Sequence, residues 1–331
     1  STPSNSSAAS DVYKRQVLCD GAAMLIDGGE SDQSSLLYSY LRDLDIRHLD
    51  YLVATHPHSD HIGGLSGAVQ IARVGTALSP VDDWDTKTFR SLKKYLAEQD
   101  VAFTVPAAGD AFDLGSATVT VLGPLKDYDE VNDTSIVLRI DYGETSFLFT
   151  GDMERTAEAD LLDAGADLRA TVLKAGHHGS DTSTSYPFLR AVDPACAVIS
   201  CGAGNSYGHP DEGTLSRLRD AGAAVYRTDL QGTVICESDG ETVTFTTERD
   251  AAPTPPRSDR AEPPEDAPAP DTAQEPDQAQ EAMIGNRKSK KFHAPDCPNL
   301  PAESNRVLFD SYEAAQAAGY TPCGNCLGNR E

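Results

Sequence analysis

The 331-residue sequence predicts an α/β domain of two sheets packed face to face with helices outside, tethered to a small α+β module. Three observations carry this expectation. Short apolar runs alternate with helical patterns from Val17 to about Thr247. Residues 250–284 are rich in Pro, Ala, Asp and Glu and have no periodic apolar face. Residues 285–331 are too few to hold a core unaided, yet contain two closely spaced pairs of Cys or His.

In chain order, AMLIDGG, YLVATH, GTALSPV and FTVPA read as strands. Between the first two, SSLLYSYLRDLDI carries an apolar stripe at helical spacing through Leu36, Leu37, Tyr40, Leu41 and Leu44. A strand-rich middle follows in SATVTVLGP, SIVLRIDY and TSFLFTGDM, the last two joined as a hairpin through Gly143-Glu144. After a helix near 154–164 come TVLKAG, CAVISC, AVYRTD, GTVICES and TVTFTTE as further strands. The domain therefore spans 17–249, the proline-stiffened linker 250–284 and the small module 285–331. Residues 1–16 have no initiator Met, no apolar stretch and no periodicity; they read as a truncation remnant and assign neither a cytoplasmic nor a secreted location.

Charge narrows the partners. Lys plus Arg stand at 19 against 38 Asp plus Glu in residues 1–249, so duplex binding by phosphate neutralisation is disfavoured for the large domain. No apolar run reaches the roughly 18 to 20 residues of a membrane span, and the chain reads as soluble. Cys19, Cys196, Cys201 and Cys236 are scattered, mostly in apolar runs, and read as small hydrophobes rather than a disulfide framework.

Seven of the eight histidines fall in metal-type motifs, which decides the chemistry. THPHSDHIGG places His56, His58, Asp60 and His61 within six residues at a strand end, and Gly63 and Gly64 let the loop turn into the next helix. Two His on one flank and an Asp-His pair on the other suit two divalent ions. Asp152 ends the apolar strand SFLFTGD, where a carboxylate can bridge two ions; His177 and His178 follow another strand in KAGHHGS, and His209 lies in YGHP. His48 reads as a surface or packing residue, and Lys174 as a solvated strand-end cation or a phosphate contact.

HPHSDHIGG, the GD of FTGDM, KAGHHGS and YGHP, in this order over residues 17–247, resemble the metallo-β-lactamase superfamily. Within it they are similar to the soluble domain of bacterial, competence-related ComEC/Rec2 DNA-uptake proteins, here without a membrane channel. The resemblance implies an αββα sandwich with the metal site at one edge of the paired sheets, and a hydrolase acting commonly on phosphodiesters. Two departures matter. The usual opening strand with its D-V-G-Q-G-D-type turn is missing. No His stands between His61 and His177, where many members place a third ligand, and Asn132-Asp133-Thr134-Ser135 occupies that segment. The first ion, Zn or Mn, would then be held by His56, His58 and Asp152, with Asn132 or water. The second would take Asp60, His61, Asp152 and one of His177 and His178.

The mechanism these ligands imply is attack on phosphorus by a metal-bridged hydroxide. The catalytic residues are Asp60, with His177, His178 or His209 protonating the leaving oxygen. The substrate is a phosphodiester, single-stranded nucleic acid among the candidates, which makes the enzyme a phosphodiesterase or nuclease. A thioester hydrolase of the glyoxalase II kind shares HxHxDH, and a cell-wall or lipid phosphoester is a further alternative. A non-catalytic metal-binding adaptor is the alternative outside enzymes, and the intact motifs argue against it.

In the small module, His293-x3-Cys297 and Cys323-x2-Cys326 can close a tetrahedral structural zinc site. FH-x3-C, NRVLFDSYEAAQAAGY and PCGNC resemble the metal-binding domain of the Ada repair protein, with His293 where that family has its first Cys. The replacement argues against methyl transfer. NRKSKK, at 286–291, is the one dense basic cluster, either solvated or touching a polyanion.

Overall fold

In the computed structural model, residues 14–256, 283–286, 290–293, 306–309, 315 and 320–322 are described. The chain divides into two compact units near residue 263.

The first sheet of the large unit has the order β1 (Lys14–Cys19), β2 (Ala22–Gly28), β3 (His48–Val53), β4 (Arg73–Leu78), β5 (Phe103–Thr104). It is antiparallel only between β1 and β2. The second runs, in space, β12 (Ala224–Arg227), β11 (Cys196–Ile199), β10 (Val172–Lys174), β9 (Thr145–Phe149), β8 (Val137–Tyr142), β7 (Ala117–Gly123), β6 (Ala111–Leu114). Its β9 to β12 half is parallel and its β6 to β9 half is an antiparallel meander. The hairpin between β8 and β9 turns at Gly143, whose φ of +58° favours glycine. A separate ribbon pairs β13 (Val234–Ser238) with β14 (Val243–Thr247).

Burial on both faces explains why the central strands read as continuous apolar runs. Met24, Ile26 and Val53 of the first sheet meet Val119, Val121, Leu138 and Ile140 of the second in an inter-sheet core. The intervening Leu25 and Leu52 face outward onto α1 (Ser34–Asp43), α3 (Leu65–Ile71) and α4 (Lys87–Ala97). On the opposite side, Leu148 and Leu173 pack with Leu161 of α5 (Arg155–Asp163), Phe188 and Leu189 of α6 (Tyr186–Val192) and Leu218 of α7 (Glu212–Asp220). The layers are therefore helix, sheet, sheet, helix. Thr86, Ser185 and Asp211 cap α4, α6 and α7 through side-chain oxygens that accept from the first turn.

Several expectations need correction. Strand β1 starts at Lys14, ahead of residue 17, because it adds an antiparallel edge to β2. The chain stays on the first unit beyond 250, since Thr254 exchanges backbone hydrogen bonds with Val225 on the edge strand β12. The small unit's sheet already starts at Met283, in β15 (Met283–Asn286). On α1 only Leu37 and Leu41 are buried, while Leu36 and Leu44 are exposed, so the stripe is narrower than its spacing suggests.

Gly63 and Gly64 have ordinary helical dihedrals and do not serve to turn the chain. They serve close approach. A Cβ on Gly64 would stand 2.0 Å from Gly28 O, and one on Gly63 2.3 Å from Ser31 N. Gly64 N–H donates to Gly29 O at 2.8 Å, which seats α2 (Ser59–Ile62) against the end of β2. Gly64→Ala is therefore expected to lower stability by about 1–3 kcal/mol or more in urea unfolding. Gly109→Ala, with open space around its Cβ, is expected to cost only about 1 kcal/mol, for its backbone angle. Equal losses would refute the packing role.

In the small unit, β15, β16 (Lys291–His293), β17 (Arg306–Phe309) and β18 (Thr321–Pro322) form a sheet in the order β17-β15-β16-β18. Met283, Phe292, Ala315 and Tyr320 are its buried core.

Candidate metal centre

The large unit's candidate ligands gather where strands end. His56, His58, Asp60 and His61 follow β3 of the first sheet; Asp152 follows β9, and His177 and His178 follow β10, of the second. Crevices outside the carboxyl ends of parallel strands are where open α/β sheets bind ligands.

Among the described residues one group of potential ligands converges: Asp60, His61, Asp152 and His178, with one ligand atom from each lying within 4.8 Å of all the others. His61 Nε2 is 3.1 Å from both Asp152 Oδ2 and His178 Nε2, and His178 Nε2 is 3.2 Å from Asp152 Oδ2 and 3.4 Å from Asp60 Oδ2. A tetrahedral ion with bonds of about 2.0 Å has ligand-to-ligand edges of about 3.3 Å.

Hydrogen bonds behind the rings set the tautomers. His61 Nδ1–H donates to Asp27 Oδ2 at 2.8 Å, and His178 Nδ1–H donates to the Ser200 carbonyl at 3.0 Å. Each neutral ring then presents its Nε2 lone pair to the other. Such an arrangement calls for a cation between them. Asp152 Oδ1 is buried without a hydrogen-bond partner, as suits a carboxylate oxygen reserved for an ion. The residues fit a divalent metal.

The electrostatics agree. Burial disfavours a charged His61, but the carboxylates of Asp152 and Asp27 outweigh it and push this histidine up to about 10. Asp152 is buried, yet His178 and His61 hold its carboxyl well below the usual range. Asp60 behaves alike: burial opposes ionisation, and the His178 hydrogen bond and His61 overcome it.

Backbone geometry singles out which of the paired histidines joins the group. His177 and His178 both have positive φ, 46° and 54°, so the two rings diverge. Non-glycine residues held there cost about 1–3 kcal/mol each and persist only where surroundings enforce them. Arg217 supplies part of that enforcement. Its buried guanidinium donates to the Thr184 and Ser183 carbonyls and to Asp181 Oδ1, gripping the segment after the histidines. His178 enters the ligand group, whereas His177 turns aside. Its Nδ1–H donates to Thr182 Oγ1 at 3.2 Å and Nδ1 lies 3.0 Å from Glu154 Oε1, with Nε2 4.0 Å from Asp152 Oδ2.

The other predicted residues fall as follows. His56 is fully buried and its Nε2 lies 3.0 Å from Nδ1 of the exposed His58, but these two complete no ligand group with Asp152 among the described residues. Burial, then the neighbouring His61, holds His56 down at about 3, in the neutral form a ligand needs. Asn132 donates through Nδ2 to Glu154 Oε1 at 3.1 Å, and its Oδ1 is buried without a partner. The ring of His209 is 5.7 Å from that of His177. His48 is exposed, 3.4 Å from Asp50. Lys174 is neither solvated nor extended toward a phosphate: it is buried, and Nζ donates to Ala175 O at 2.6 Å.

Sequence reasoning missed Asp27, which is fully buried with φ of +59°. Besides His61, it accepts from Thr55 N–H and Thr55 Oγ1–H, both at 2.9 Å, tying β2 to the metal loop. The signal was present, since AMLIDGG ends an apolar strand in Asp-Gly in the manner of FLFTGD. Ser135 and Glu154 were missed as well. Ser135 Oγ accepts from Asp152 N–H at 3.0 Å, and Asp133 accepts from Glu154 N–H at 2.8 Å, so the NDTS segment positions the strand-end carboxylate.

In the small unit His293 is buried on β16, and burial followed by Lys291 lowers its proton affinity toward the form that binds metal. Cys297, Cys323 and Cys326 lie outside the described residues, as do Arg287 and Lys288 of the basic cluster. Lys290, of the same cluster, sits 4.6 Å above the Tyr320 ring and donates to its hydroxyl at 3.3 Å.

Comparisons with known proteins agree with this architecture. Residues 17–203 match the family model of the metallo-beta-lactamase superfamily, and residues 272–328 match that of the metal binding domain of Ada. ComE operon protein 3 of Bacillus subtilis is 32% identical over 200 residues, which is 60% of this chain and 26% of that protein. Competence protein ComA of Neisseria gonorrhoeae is 35% identical over 195 residues, 56% of this chain and 25% of that one. Recombination protein 2 of Haemophilus influenzae is 31% identical over 187 residues, 56% of this chain and 22% of that one. The chain spans about a quarter of the length of these relatives, which support the ComEC/Rec2-like branch. Among the described residues no helix is long and apolar enough to cross a membrane.

Removing the Asp27 partner should weaken the centre without touching a ligand. Asp27→Asn is expected to lower divalent-metal affinity about 10- to 100-fold, read by competition with a chromophoric chelator. Unaltered affinity would deny Asp27 its orienting role.

Proposed function

The chain belongs to the metallo-β-lactamase superfamily of metal-dependent hydrolases, and from that premise we propose that it hydrolyses phosphodiesters, with single-stranded nucleic acid as the substrate class. Asp60, His61, Asp152 and His178 would hold one divalent ion. Such ions neutralise charge on phosphoryl oxygens and acidify water near neutral pH.

The observation that carries the reading is the pair His177 and Glu154. His177 Nδ1–H donates to Thr182 Oγ1 at 3.2 Å, Thr182 Oγ1–H donates in turn to Glu154 Oε1 at 3.0 Å, and Glu154 Oε1 also accepts from Asn132 Nδ2–H and lies 3.0 Å from His177 Nδ1, so the ring and the carboxylate are tied together by Thr182. The ring it orients stands beside the ligand group without belonging to it. From there Nε2–H can deliver a proton to a leaving oxygen. An alkoxide expelled from phosphorus needs that proton. A thiolate leaves readily without one, since thiols ionise near pH 8.5, so an oriented acid favours the phosphodiester over the thioester. The competence and recombination proteins that this chain resembles favour nucleic acid as the source of that diester.

Asp60→Asn and Asp152→Asn are each expected to abolish hydrolysis of bis-p-nitrophenyl phosphate while circular dichroism stays unchanged; full turnover in both would end the assignment. His177→Asn should separate substrates by leaving group. The expected loss is about 10²- to 10⁴-fold where an alkoxide departs and much smaller where p-nitrophenolate departs. Equal losses on the two would remove His177 from the proton-donor role.

A further inference from the structure

Tyr207 is the most exposed large apolar side chain among the described residues, at 78% of its full surface, and two further rings connect it to the metal centre. Its ring is stacked on His209, with centroids 6.0 Å apart and planes 14° from parallel. His209 in turn packs edge-on to His177 at 5.7 Å. A file of rings therefore leads from solvent to the proposed proton donor.

The loop that presents Tyr207 is stapled shut. Asn205 Nδ2–H donates to Gly202 O at 2.9 Å and to His209 O at 2.5 Å, while His209 N–H donates to Asn205 Oδ1 at 3.0 Å. Gly204 and Gly208 take the positive φ values, 71° and 79°, that this tight loop needs. An aromatic side chain held in water by a closed loop contributes nothing to a core. A ring so held leaves apolar surface open to a planar partner.

The charge of the unit says what kind of grip is required. With 19 cationic against 38 acidic side chains in residues 1–249, long-range attraction for a polyanion is missing. A nucleic-acid substrate must then be held by something other than phosphate neutralisation along its length. Base stacking on aromatic side chains is such a grip, and it tolerates any sequence because every base has a π-face.

We propose that Tyr207, supported by His209, is a nucleobase subsite that seats an unpaired base of single-stranded nucleic acid next to the scissile phosphodiester. This rests on the phosphodiesterase reading for its setting, though base binding itself needs no turnover. A duplex, whose bases already stack on one another, offers the subsite nothing.

The test compares two fluorescein-labelled single strands of equal length, one carrying bases throughout and one abasic. Both hold the same phosphates, so contacts to phosphate anywhere on the full-length chain cancel in the ratio. Anisotropy with chelator-treated protein gives the ratio of Kd values, and cleavage with Mn²⁺ gives the ratio of kcat/KM values. The wild-type chain is expected to favour the strand with bases about tenfold or more, with little change between low and high salt. Tyr207→Ala is expected to bring both ratios toward one, and Tyr207→Phe to preserve them. No preference in the wild type, a preference surviving Tyr207→Ala, or its loss in Tyr207→Phe would each overturn the subsite. A wild-type chain that cleaves neither strand, yet keeps the anisotropy preference and loses it in Tyr207→Ala, would uphold the base subsite and refute the phosphodiesterase reading.

Discussion

Everything in the large unit is arranged around two imidazole nitrogens that point at each other. His61 Nε2 and His178 Nε2 are 3.1 Å apart, and each ring is locked from behind by an acceptor that takes its other proton. Two lone pairs so placed repel unless a positive charge lies between them. Asp60 and Asp152 crowd the same point with negative charge, which makes the demand for a cation stronger. Three residues tied to the site, Asp27, His177 and His178, have backbone angles that side-chain-bearing residues avoid. That strain is tolerated because Thr55, Ser200, Thr182 and Arg217 hold the residues concerned, directly or through the segment that follows them.

The two sheets contribute differently to this arrangement. From the first comes a rigid floor: the helical turn bearing Asp60 and His61 lies so close to the end of β2 that only glycines fit between them. The second contributes adjustable parts, a carboxylate at one strand end and a histidine pair at the next, each oriented by short polar side chains from neighbouring turns. Chemistry is divided accordingly. The candidate ligands converge on one point, while the ring of His177, outside that group, is the one that His209 and Tyr207 approach.

Much of this was legible in the sequence because it is local. The six-residue run from His56 to His61 and the strand-end Asp152 announce themselves by residue type and spacing. Apolar runs likewise marked most strands, since burial on both faces leaves little room for polar residues. What was not legible depends on contacts between distant segments. Asp27 acquires its role from His61, 34 positions away, and Ser135 from Asp152. Spacing alone could not tell His177 from His178, because the choice is made by a left-handed backbone at both. The role given to Gly63 and Gly64 was wrong for a related reason: close approach between segments leaves the same mark in a sequence as a sharp turn.

The ligand group draws on both sheets, with Asp60 and His61 standing on one and Asp152 and His178 on the other. An ion held there would act as a hasp across the sandwich, closing at its rim two halves that are otherwise joined by apolar contacts between the sheets. Cation binding and folding then become linked equilibria. Each tenfold rise in free metal above its dissociation constant would add about 1.4 kcal/mol to the folded state. The supply of metal around the protein would thus govern how long the fold survives as well as whether the centre can work.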